Sequence, residues 1–102
     1  MSRLVVSDAA HADLDDILEY LSTSLCNPAA ASALADAVLA AYRRILAHPE
    51  SAPLCAHPRL AGQGYRKVTV RNYLLIYRII PDTDFMFVAR FFHHSRNYAE
   101  LL

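Results

Sequence analysis

The chain has 102 residues, 55% of them apolar and 20% charged, with ten basic and ten acidic side chains, which excludes a disordered or disulfide-dependent chain and implies one folded domain spanning 1–102. No apolar run approaches the ~18 residues of a membrane span, and Met1–Val6 lacks signal-peptide architecture, so a cytoplasmic location is expected. The charge is divided unevenly: residues 1–58 carry three basic against seven acidic side chains, and residues 59–96 carry seven against two. That asymmetry points the C-terminal half toward an anionic partner, either nucleic acid or an acidic protein, unless the two halves neutralise each other within the fold.

In chain order, Arg3–Ser7 reads as a short strand. Ser7 suits a helix N-cap, with Asp8 in the first turn where the helix dipole favours negative charge. Ala10, Leu14, Ile17, Leu18, Leu21 and Leu25 then recur at helical spacing on one face, which predicts a helix over 8–24. Asp13, Asp15, Asp16 and Glu19 are read as its solvated side. Asn27-Pro28 restarts a helix, because Asn caps well and the missing N–H of Pro is harmless in the first turn. The second helix presents Ala31, Leu34, Ala35, Val38, Ala41, Tyr42 and Ile45, and should stop near His48, before Pro49. Two amphipathic helices on so short a link form an antiparallel hairpin.

Residues 49–64 hold Pro49, Pro53, Pro58, Gly62 and Gly64 and read as a long loop. Strands follow at Tyr65–Val70, Tyr73–Ile80 and Phe85–Phe92, joined by Arg71-Asn72 and by the turn Pro81–Asp84. Short links make antiparallel neighbours. Ser95–Leu102 suits a short helical turn. The expected fold is α+β, ordered β-α-α-β-β-β, an antiparallel sheet with the helical hairpin packed on one face. Strand alternation sends Leu75, Tyr77 and Ile79 toward the helices and Leu74, Ile76, Arg78 and Ile80 to an open second face. An apolar face carrying a cation is a candidate binding surface.

The segments Ala9–Ile17 (AAHADLDDI), Ile45–Pro49 (ILAHP), Tyr65-Arg66, Tyr73–Arg78 (YLLIYR) and Arg90–His93 (RFFH) resemble, in order and spacing, the RelE/ParE superfamily of toxins from type II toxin–antitoxin systems, and its ParE branch most closely. The resemblance covers nearly the whole chain and implies the same fold. It also implies a partner, a small antitoxin that orders on binding and needs an apolar surface ringed by charge. Leu74, Ile76, Arg78, Ile80 and Arg90 are the residues expected to meet it.

The superfamily divides by target. RelE-like members cut messenger RNA on the ribosome, whereas ParE-like members poison DNA gyrase. RNA cleavage needs a base for the 2′-hydroxyl, an acid for the leaving oxygen and a cation for the phosphate. The cleaving branch commonly carries arginine directly after the position of Tyr73, where this chain has Leu74, and paired lysines where it has Arg66-Lys67. Both departures favour gyrase inhibition, with a RelE-like endoribonuclease or a degenerate antitoxin-binding homologue as alternatives. Candidate catalytic residues for the enzymatic alternative are Arg66, Arg78, His93, Arg96 and Tyr98. Arg78 has a second reading, as a surface ion pair with Asp82 or Asp84. No cofactor is implied. His93 and His94 adjoin, but strand alternation should send them to opposite faces, so no shared metal is expected.

Overall fold

The computed structural model describes residues 3–102; Met1 and Ser2, the start of the segment read for targeting signals, lie outside the described residues. Strand β1 (Arg3–Val6) leads into helix α1 (Asp8–Glu19), which continues as a π-helical turn over Tyr20–Ser24. Helix α2 (Pro28–Ala47) returns antiparallel to it, and a five-residue helix α3 (Pro58–Gly62) interrupts the long loop. Strands β2 (Tyr65–Val70), β3 (Tyr73–Ile79) and β4 (Phe85–His93) follow, and a 3-10 turn covers Tyr98–Glu100.

The caps act as the sequence implies. The Ser7 hydroxyl accepts from the Ala10 N–H at 2.9 Å and donates to the Ala89 carbonyl at 2.7 Å, so one side chain starts α1 and ties it to β4. Asn27 accepts from the Ala30 N–H at 3.1 Å, with Pro28 opening α2. Cys26 takes a left-handed φ of 48°, which breaks the helical path between the two helices.

Among the described residues the sheet order is β1-β4-β3-β2. The meander β2-β3-β4 is antiparallel, as expected from its short links. β1 differs: it runs parallel beside β4, with Arg3 opposite Phe85 and Val6 opposite Val88. The sheet is therefore mixed, and the whole hairpin and meander serve as the long connection a parallel pair requires. A bulge at Ala89 interrupts β4, since Tyr77 faces Val88 while Ile76 faces Arg90. The extra residue reverses the alternation, so Met86, Val88 and Phe91 all point toward the helices.

On that side lies the main core, where Ala10, Leu34, Val38, Ala41 and Ile45 pack on Val70, Leu75, Tyr77, Met86, Val88 and Phe91. Each large aliphatic side chain buried there stabilises the fold by roughly 1.5–3 kcal/mol. Tyr77 is fully buried, and its hydroxyl donates to the Pro49 carbonyl at 2.6 Å, which closes the loop after α2 over the core. No described helix is long and apolar enough to cross a membrane.

Candidate partner-binding face

The second face of the sheet is half covered. Cys55 and Leu60 from the long loop, with Tyr98, Ala99 and Leu102 from the tail, pack over Leu74, Ile76 and Phe92. Leu74 is 7% exposed and Ile76 0%, so these two expected antitoxin contacts are inaccessible. The sequence predicts a long loop over 49–64 and a short helical turn over Ser95–Leu102, with no covering role for either. Yet the loop buries two of its own apolar side chains, and the tail supplies an apolar run, Tyr98-Ala99 and Leu101-Leu102, that marks a docking segment.

The tail is held by few bonds. The Arg59 guanidinium donates to the Ala99 carbonyl at 2.6 Å. The Tyr98 ring stacks on Phe92, centroids 6.5 Å apart, with the Lys67 ammonium 5.8 Å from the Tyr98 ring centroid. Beneath it, burial pushes the Cys55 thiol up, against the opposing pull of a Tyr98 hydrogen bond and the Lys67 charge. The backbone amides of Glu100, Leu101 and Leu102 bond only to Asn97 and Tyr98, so no sheet ladder joins this segment to the strands.

The uncovered half lies toward β1. Val5 is 44% exposed, Arg78, Ile80, Phe85 and Phe87 are half-buried, and Tyr65, which packs against the covered cluster, forms the border between the two halves. Their facing follows from the pairing, because Leu4, Val6, Met86 and Val88 occupy the helix side. Arg3 sits over the Phe85 ring at 5.8 Å and Arg78 over the Tyr65 ring at 5.7 Å. The Arg78 Nε is buried without a hydrogen-bond partner. Aromatic packing against Tyr65 holds the Arg78 guanidinium on this face.

The remaining candidates separate into different places. Arg66 staples the long loop, donating to the Ala52 carbonyl at 2.7 Å and the Glu50 carbonyl at 3.3 Å. Tyr98 belongs to the cover. Arg90 is bound by Asp13, which accepts from its Nε at 2.6 Å and its Nη2 at 2.9 Å and from the Phe91 N–H at 3.0 Å. That hydrogen bond also favours the protonated guanidinium, raising the Arg90 pKa. Asp13 is therefore not part of a solvated helix side. It takes the strand-edge position left open where β1 ends at Val6, and Arg90 is engaged there instead of standing free for a partner. The signal was present: Asp13 falls between Ala10 and Ile17 at helical spacing, on the buried stripe.

Arg90, His93 and Arg96 do come together, with Tyr73, Asp13 and Asp16, around a shallow cleft of about 290 Å³. His93 meets the Ser95 hydroxyl at 2.7 Å and packs edge-on to Tyr73. The His93 and His94 rings lie 4.4 Å apart, contrary to strict alternation, because β4 ends at His93 and the chain turns. No group of three or more metal-ligating side chains forms among the described residues. Leu74, whose position carries arginine in the RNA-cleaving branch, is on β3 under the tail and contributes no charge to this cleft.

The family model described as the ParE toxin of the type II toxin–antitoxin system, parDE, matches residues 4–98. The chain belongs to the ParE toxin family. The toxin's fold is also that of a solved structure described as the chromosomal ParDE TA system from P. aeruginosa, with a TM-score of 0.71 at 18% identity over 91% of this chain and 96% of that one. A search of curated protein sequences returns no match. The toxin accordingly combines the α+β order read from its sequence with a mixed sheet, one covered face and one half-open face.

Proposed function

We propose that this ParE-family toxin arrests growth as a protein–protein inhibitor of DNA gyrase, in the cytoplasm, and that a cognate antitoxin neutralises it. The observation that carries the choice of target is Leu74. It is an aliphatic side chain, 7% exposed, where RNA cleavage calls for a phosphate-binding cation. Arg66 is engaged with loop carbonyls, and Arg78 packs on Tyr65. A binding module needs a surface and no acid–base pair, which suits this arrangement.

The RelE-like alternative draws on one feature, the cleft where Tyr73, Arg90, His93 and Arg96 meet. Purified toxin tested on gyrase supercoiling and on translating ribosomes separates the readings. Loss of supercoiling with intact messenger RNA supports gyrase inhibition. Codon-specific cuts on ribosomes with unaffected supercoiling transfer the function to the cleft. Normal growth despite soluble expression marks a degenerate, antitoxin-binding homologue.

A further inference from the structure

The uncovered half of the second face combines three properties. It is apolar, with two phenylalanines, a valine and an isoleucine side by side. It carries guanidinium groups held against aromatic rings. It also contains a buried donor with no acceptor, the Arg78 Nε. The Nε itself is enclosed, but Arg78 as a whole is only half-buried, so a partner's acceptor that packs on this face and shifts the side chain would give the guanidinium the hydrogen bonds that buried donors nearly always make. A planar guanidinium takes a carboxylate best, through two parallel hydrogen bonds.

We infer that this half-face, formed by Val5, Tyr65, Arg78, Ile80, Phe85 and Phe87, receives an apolar segment of the cognate antitoxin that carries a carboxylate for Arg78. The inference rests on the reading of the chain as an antitoxin-neutralised toxin and adds the surface and the chemistry of the docking segment. A second copy of the toxin fits poorly. Two-fold pairing through this face would bring together two surfaces of the same positive sign, each carrying Arg3 and Arg78 and neither supplying a carboxylate. The outer side of the helical hairpin is also a poor match for an acidic segment, since it exposes Asp15, Asp16, Glu19 and Asp36. The surface differs from the one expected from alternation alone: Arg78 and Ile80 belong to it, while Leu74 and Ile76 lie under the cover and Arg90 is engaged by Asp13.

The test uses the purified product of the open reading frame adjacent to this gene, with affinity and dissociation rate measured against the full-length toxin and its variants. Val5→Asp alters a side chain already 44% exposed, so folding survives even if Phe87→Asp does not fold. Both substitutions should weaken binding about 30-fold or more, chiefly through faster dissociation. Arg78→Met, which keeps the stem and removes the fork, should weaken it about tenfold. Leu39→Asp, at a 51% exposed position on the far side of α2, should leave it unchanged. Folded Val5→Asp and Arg78→Met proteins that bind like the parent overturn the inference, and the antitoxin reading stands. Variants that keep the antitoxin but no longer arrest growth also overturn it, by assigning the face to the target. If the parent itself binds no adjacent gene product, the antitoxin reading falls, and the docking surface falls with it.

Discussion

Replacing Asp13 by alanine removes the acceptor for three donors at once: two from Arg90, at 2.6 and 2.9 Å, and the Phe91 amide at 3.0 Å. Hydrogen bonds involving a charged group contribute roughly 1.5–3 kcal/mol each. The total is smaller than the sum, because the Arg90 side chain is 32% exposed and regains water when its partner is lost; that of Asp13 is 17% exposed. The expected loss for Asp13→Ala is about 2–3 kcal/mol, which lowers the Tm of a domain this size by on the order of 10–20 °C. Asp13→Asn keeps an acceptor for Phe91 but no charge for Arg90, and should lose about half as much. Urea and thermal unfolding of Asp13→Ala, Arg90→Met and the double variant form a cycle whose coupling should be about 1–2 kcal/mol. A loss below about 0.5 kcal/mol for Asp13→Ala, or strict additivity in the cycle, refutes the role of this carboxylate as the clasp between α1 and β4.

Ile76→Asp places a carboxylate where the native side chain has no solvent exposure, so it should abolish soluble folded protein, not merely weaken a partner; circular dichroism of the purified variant checks this. Deleting residues 98–102 should leave the sheet intact, uncover Leu74 and Phe92, and raise the labelling rate of Cys55 by a thiol reagent at least tenfold, on the order expected for a locally opened site. The Tyr42 hydroxyl is pushed up to about 12 by burial. Its folded pKa lies above the unfolded value of 10, so its contribution is complete below pH 10 and is lost as pH rises toward 12. Tyr42→Phe should therefore flatten the alkaline fall in Tm, measured from pH 9 to 12 against the parent.

Local signals made most of the fold legible. Ser7 and Asn27-Pro28 cap where the sequence says helices begin, and the stripes through Leu34, Val38 and Ile45 face the core. Those features depend on neighbours a few residues away. The parallel placement of β1 depends on a strand some eighty residues later, and no local pattern encodes that choice. The Ala89 bulge is likewise invisible in a run of apolar residues, although it decides that Phe91 faces the helices and Phe92 the cover. The candidate site suffered most from this. Alternation separated the two faces correctly in β3, but only the packing of residues 55, 60 and 98–102 determines which part of the second face is open. The basic charge of the C-terminal half is divided among tasks: Arg59 and Arg66 fasten covering segments, Arg90 is clasped by Asp13, and Arg78 packs on Tyr65 at the half-open face.

The order of the strands has a consequence for how the toxin is made. β4, over Phe85–His93, lies between β1 and β3, so one of the two inner strands of the sheet is the last of the four to leave the ribosome. Until it arrives, β1 has no neighbour in the sheet, the Ser7 hydroxyl has no Ala89 carbonyl to reach, and Asp13 has neither of its partners. Non-local pairing of this kind comes late and all at once. A translation product halted before Phe85 is therefore a helical hairpin with one loose strand and one β-hairpin. A chain that stops before Phe85 cannot close the sheet, because β4 is the strand that joins β1 to β3.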